Sequence, residues 1–297
     1  MRFGLRHALL ALILASLTCG LALAPTMGGV SADRAYGHVE RLVGIGPRLA
    51  GSPAEAIAAS YIENEFRSYG LDVWVENFIV ENSYIVEEDR LFVLQPGRAS
   101  ILTCVPVVYS PSDNVRGQLM HFDGTIENEN LLRGRVVLVA RDKLKRELAD
   151  LPPLAILTYV ENMPPMSEIW PNPPKAPMVW ISGSDAQQLI ELLENIQVEV
   201  ELRLTARTES RMSRNVVACL PGESDEIIVV NAHHDSMLTP GAVDDASGVA
   251  VVLEIARALS TENLQRTVLF TTFSGEELGL LGSQDFVRRR ENEPIVA

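Results

Sequence analysis

Residues 226–236, EIIVVNAHHDS, run a short apolar stretch straight into two histidines and an aspartate. The apolar run reads as a strand. Successive side chains of an extended chain point to opposite sides, so His233 and Asp235 project together and His234 the other way. An aspartate two residues from a ligating histidine can accept its second ring N–H and fix the tautomer. His233 is therefore the candidate metal ligand, Asp235 its orienting partner, and His234 a residue lining the site.

Two more polar clusters lie downstream, each beside a regular element. Residues 240–248, PGAVDDASG, lead into GVAVVLEIARALS, a helix with Val249, Val252, Leu253 and Ala256 facing inward. Residues 267–273, TVLFTTF, form a second continuous apolar strand, followed by SGEELGLLGS at 274–283 and a helix from about Leu278. Strand, helix and strand in alternation predict an α/β unit with parallel pairing. Open α/β sheets place their sites beyond the carboxyl ends of strands, where all three clusters fall.

Imidazole and carboxylate donors together suit a divalent ion, zinc first. Gly241 and Gly248 permit a tight backbone around Asp244, whose two oxygens suit it to bridging two cations that share a water and a substrate oxygen. Asp245 or Ser247 fits the helix N-cap. Adjacent glutamates closing a buried strand are costly unless paired or bound to metal. Their alternating directions make Glu277 a metal ligand and Glu276 the general base.

Upstream, Tyr36, Val39, Leu42 and Val43 share a helical face that Gly44 is expected to end, with His38 solvated on the polar side. Ser52, Pro53 and Glu55 predict a helix start with a capping box, and Ala58, Ile62, Phe66 and Tyr69 form its apolar stripe up to Gly70. Leu71, Val73 and Val75 alternate as a strand. Between residues 105 and 208 come short strands (RVVLVA, LAILTYV, VWIS), a proline-rich loop with Trp170, a helix capped by Ser184, and the alternating QVEVELRLTA. His121 reads as structural. No internal repeat is visible.

The chain has 297 residues, 47% hydrophobic and 22% charged, with a net charge of −14. That length accommodates more than one unit, the balance is that of a folded globular protein, and the negative charge argues against nucleic acid as a partner. Arg2 and Arg6 precede an apolar run from Ala8 to Ala24, the layout of an export signal or N-terminal membrane anchor. Cys104 and Cys219 are expected either as a pair or as two buried free thiols.

Taken in order, HxD, GAxDDxSG and SGEExGLxGS resemble the di-zinc aminopeptidase family, metallopeptidase family twenty-eight. GIGPRLAGSPAE resembles the family's N-terminal segment. The resemblance implies a mostly parallel-sheet α/β zinc-peptidase core, incomplete here, with a β-rich unit like a protease-associated (PA) domain inserted in it. It implies a signal or anchor over 1–32, peptidase segments over 33–104 and 209–297, and the PA-like insert over 105–208. It further implies two zinc ions, with His233 on one, Glu277 on the other, Asp244 bridging, Glu276 as base, and a cis peptide between Asp244 and Asp245.

The expected activity is metal-assisted hydrolysis of peptides by an exported or outward-facing protein. The family's later ligands, an acid after the next strand and a distant histidine, are not present before Ala297. The chain therefore reads as C-terminally truncated, expected to hold one zinc well at most and to turn over little. A non-catalytic binding protein on the same scaffold, or a related carboxypeptidase or amidohydrolase, are the alternatives. Residue specificity and oligomeric state are left open.

Overall fold

The computed structural model describes residues 29–125, 129–144, 153–170 and 172–297, so the export-signal reading of residues 1–28 lies outside the described residues. Helix α1 (Ala32–Ile45) begins at Ser31, whose hydroxyl accepts the Arg34 N–H. It continues through Gly44 and stops at Gly46, whose φ of 94° only glycine adopts readily. His38 is buried on this helix and hydrogen-bonded to the Tyr61 hydroxyl, not solvated as expected. Its neighbours on α1 are polar, so the sequence pattern gave no sign of the aromatic partner on the next helix.

Helix α2 (Pro53–Ser68) starts as expected, with Ser52 Oγ accepting the Glu55 N–H. The capping box is only half formed. The Glu55 side chain turns into the interior and meets His234, leaving the Ser52 N–H to Leu49 O.

Strand β1 (Asp72–Gln95) turns into β2 (Arg98–Leu102) and, after β3 (Val105–Pro106), β4 (Asp113–Phe122) follows. Strands β5 (Val136–Ala140), β6 (Ala155–Tyr159) and β7 (Met178–Trp180) lead to helix α3 (Gly183–Leu193). Its N-cap is Ser182, two residues before the expected Ser184. Strand β8 (Glu199–Leu220), β9 (Gly222–His233), helix α4 (Ser247–Leu259), β10 (Leu264–Phe273) and helix α5 (Leu281–Arg289) complete the order.

Strands β1 and β8 form one long antiparallel ribbon, registered from Asp72↔Cys219 to Leu94↔Glu199 with irregularities near Val80 and Val86. At one end of the ribbon the order β4-β5-β6-β7 extends from β8, with β4 to β7 parallel. At the other, β10 pairs with β8, and β9 pairs parallel to β10. The fold is thus α/β with a mixed, open sheet.

Each end has its own apolar core. Leu42, Ile62, Phe66, Leu253 and Phe270 pack helices α1, α2 and α4 onto the β8–β10–β9 end. Leu138, Leu157, Leu189 and Val200 pack α3 onto the other. Residues 104 and 105 separate at the start of β3, whereas residue 208 falls within β8. Cys104 and Cys219 are both free thiols. Among the described residues no helix is long and apolar enough to cross a membrane.

Candidate metal centre

Parallel pairing places the carboxyl ends of β9 and β10 side by side, with Phe273 registered opposite His233. The chain leaves both strands there, and the crossover from β9 through α4 supplies Asp244 and Asp245. Gly241 begins this crossover at φ 55°; a Cβ there would lie 2.3 Å from Asp244 O, so only glycine admits the turn. The peptide between Asp244 and Asp245 is cis.

One donor atom from each of His233, Asp244 and Glu277 lies within 4.8 Å of the others. His233 Nε2 is 2.9 Å from Asp244 Oδ1 and 3.8 Å from Glu276 Oε2. Its Nδ1 faces Asp235 Oδ1 at 3.5 Å. The ring therefore presents Nε2 to the cluster and backs Nδ1 onto a buried carboxylate, the arrangement that holds a ligating imidazole in one tautomer.

Asp235 does more than face the ring. Its two oxygens accept the backbone N–H groups of Glu276 and Glu277, each at 3.3 Å, so one buried side chain ties the β9 terminus to the β10 turn. Asp245 makes a parallel tie: Oδ2 accepts the His233 N–H at 3.2 Å and Oδ1 accepts the Gly248 N–H at 2.9 Å in the first turn of α4. Asp244 and Glu276 are the exposed members, with side-chain accessibilities of 76% and 39%.

The electrostatics follow from this crowding. Burial disfavours the charged form of His233, but the close Asp235 carboxylate and the charges of Asp245 and Glu276 outweigh it, moving its pKa up to about 9. Glu277 moves the other way for a carboxylate: burial, then repulsion from Asp235 and Asp244, push it up to about 7.

His234 does not line the cluster. It is fully buried, its ring between Glu55 Oε1 at 3.2 Å and Thr272 Oγ1 at 3.1 Å. The alternation of directions holds, but the opposite side of the strand end is interior rather than cleft.

Two supporting residues escaped the sequence reading. Asn215 on β8 accepts the Ser274 N–H through Oδ1 and donates Nδ2–H to Gly282 O, clamping both ends of the SGEELGLLG turn. A fully buried amide in an apolar strand was the available signal. Arg48, in GIGPRLAGSP, is fully buried and bonded to both the β9 terminus and the Pro240–Gly241 loop.

Comparison with known proteins bears on this corner of the molecule. Residues 215–297 match Peptidase family M28. That stretch opens at Asn215 and contains His233, Asp235, Asp244, Asp245, Glu276 and Glu277. Over a longer span the chain is 31% identical to "Aminopeptidase YwaD" of Bacillus subtilis, across 267 residues that cover 86% of this chain and 57% of that protein. The chain thus spans little more than half the length of this relative. Among solved structures, a zinc aminopeptidase from Bacillus subtilis superposes with a TM-score of 0.67 at 26% identity, covering 90% of this chain and 67% of that one. A "Peptidase M28 precursor" from Shewanella amazonensis shares the fold at a TM-score of 0.71 and 24% identity, covering 88% and 68%.

Proposed function

We propose that the chain is a zinc-dependent exopeptidase of aminopeptidase type, or the larger part of one. The observation that carries this reading is the convergence of His233, Asp244 and Glu277 at paired strand ends, with Glu276 beside them. The M28 segment and the zinc aminopeptidase fold support it.

The residues fit the ion. An imidazole nitrogen and two carboxylates are zinc's usual hard and borderline donors. Donor atoms within 4.8 Å of each other are close enough to share a metal site. Zinc, when bound, supplies Lewis acidity that polarises a peptide carbonyl and lowers the pKa of water.

The chain's own residues do the rest. His233, Asp244 and Glu277 would hold the metal, His233 on one ion and Glu277 on the other, while Asp235 faces the imidazole and accepts the backbone N–H groups of both glutamates. Glu276, partly exposed at the cleft, takes the proton of the attacking water and returns it to the leaving amine. Asp244, whose side chain is the most exposed of the three, would be shared between the two ions. We read residues 105–208 as a PA-like unit, supported by an apolar core drawn mostly from them and joined by Leu91, Val93 and Cys104 from before it, and the Arg2–Ala24 segment as directing export.

The test is hydrolysis of an aminoacyl p-nitroanilide and of its N-acetylated counterpart by zinc-loaded protein. Cleavage of the free-amine substrate, abolished by chelation and reduced by roughly 10²–10⁴ in Glu276→Gln with zinc retained, is the expected result. Turnover unchanged in Glu276→Gln, or surviving complete metal removal, would overturn the reading.

A further inference from the structure

Arg48 is the largest charged side chain wholly buried in the described residues, and the proposed mechanism does not use it. Its Nε donates to His234 O at 2.8 Å, the carbonyl directly after His233. Its Nη1 donates to Pro240 O at 2.5 Å, to Leu42 O and to Gly46 O, and Nη2 donates to Gly241 O at 3.3 Å. The backbone takes part as well: Arg48 N–H donates to Ser236 Oγ at 3.0 Å, and Ser236 N–H donates to Arg48 O at 3.2 Å.

One guanidinium therefore grips both segments that bring His233 and Asp244 together, the β9 terminus and the glycine turn ahead of the cis peptide. The remaining carbonyls belong to the end of α1, a rigid part of the core. Arginine suits this place because its planar fork offers five N–H donors in fixed directions, enough to serve several carbonyls at once. Burial draws its pKa below the ordinary value, against the pull of Asp235, Asp245 and Glu277, so its charge also faces the acid cluster from behind.

The far side of His234 is anchored too, its ring between Glu55 and Thr272. The strand end carrying His233 is thus pinned at its following carbonyl, its following ring and its own N–H, which leaves the His233 side chain little freedom to drift.

We propose that Arg48 is a positioning residue for the metal-ligand set, holding the His233 strand end and the Asp244 turn at the separation that zinc binding requires. This inference rests on the metal-centre reading above. Lysine keeps the charge at this position but loses the fork; methionine loses both. Groups that orient metal ligands typically set affinity by 10–100-fold.

The experiment measures zinc affinity of the full chain by competition with a chromophoric chelator, alongside the thermal midpoint of the metal-free protein. Arg48→Lys and Arg48→Met are compared with Glu254→Gln, a control whose carboxylate contacts Ser31, Arg34 and Arg257 rather than the ligand loops. Both Arg48 variants are expected to bind zinc about 10–100-fold more weakly, while Glu254→Gln melts lower at unchanged zinc affinity. Should an Arg48 variant fail to fold, Ser236→Ala removes the acceptor of the Arg48 N–H together with the Oγ bond to Thr239 O, and a several-fold weakening is expected. Wild-type zinc affinity in folded Arg48→Lys or in Ser236→Ala overturns the positioning role and leaves Arg48 a residue of folding alone. Absence of zinc binding in the wild type overturns the metal centre itself, and this inference with it.

Discussion

Gly248 sits in the first turn of α4, where replacing glycine by alanine ordinarily gains about 1 kcal/mol through helix propensity. Here the opposite sign is expected. A Cβ on Gly248 would lie 2.2 Å from Asp245 Oδ1 and 2.5 Å from Oδ2. Accommodating it displaces the carboxylate from the Gly248 and His233 N–H groups. Hydrogen bonds to a charged acceptor contribute roughly 1.5–3 kcal/mol each. Asp245 retains some solvent access, with 24% of its side chain exposed, and recovers part of this from water. The loss still exceeds the propensity gain, for a net destabilisation of about 2 kcal/mol. Urea unfolding of metal-free Gly248→Ala, followed by circular dichroism, should show a lower midpoint at unchanged slope. In an Asp245→Ala background the clash disappears, and Gly248→Ala should then stabilise by up to about 1 kcal/mol. A single variant as stable as wild type, or no change of sign in the double variant, would refute the claim that this glycine exists to admit the Asp245 carboxylate.

Other outcomes follow from single groups. Glu254, buried and bonded to Ser31 N–H, Arg34 and Arg257, overcomes its desolvation through those bonds and has its pKa lowered from 4.5 to about 2. Its contribution is complete above the unfolded pKa and fades as pH falls toward 2; it is at most about 3 kcal/mol, less because Arg34 is half exposed. The stability gap between wild type and Glu254→Gln should hold above pH 5 and close toward pH 2; a pH-independent gap would contradict this. Phe270, fully buried against Phe66, should cost about 3–5 kcal/mol when changed to alanine, and a urea midpoint near wild type would count against the core described. Burial pushes the Cys104 thiol up to about 12, so it should resist an aromatic disulfide reagent at pH 8 until the protein is unfolded; rapid labelling of the native protein would be inconsistent with its position.

The parts of the fold most legible in the sequence are those where burial is one-sided or total. Strands β9 and β10, the inward face of α4 and the start of α2 all declare themselves through apolar runs or a serine before proline. The β1–β8 ribbon does not, because residues 205–214, TARTESRMSR, are polar on both faces. They extend because they pair across to β1 on either side of an irregularity at Ser210, helped by ion pairs such as Arg207 with Glu87. The alternating QVEVELRLTA therefore marks only the first half of β8. Side-chain direction was legible at His233 and His234 from strand alternation. What His234 faces was not, since Glu55 is 179 positions away and its capping-box spacing suggested a different task. Arg48 likewise gains its meaning from carbonyls nearly 200 residues distant, which no local pattern encodes.

The central claim is that His233, Asp244 and Glu277 form the metal-binding set while His234 belongs to the interior. Calorimetric titration with zinc tests it most directly, on wild type, His233→Ala, Glu277→Gln and His234→Gln, each first shown to be folded. The account predicts tight zinc binding by wild type, its loss in His233→Ala, strong weakening in Glu277→Gln, and retention in His234→Gln. Zinc binding abolished by His234→Gln but preserved in His233→Ala would contradict it.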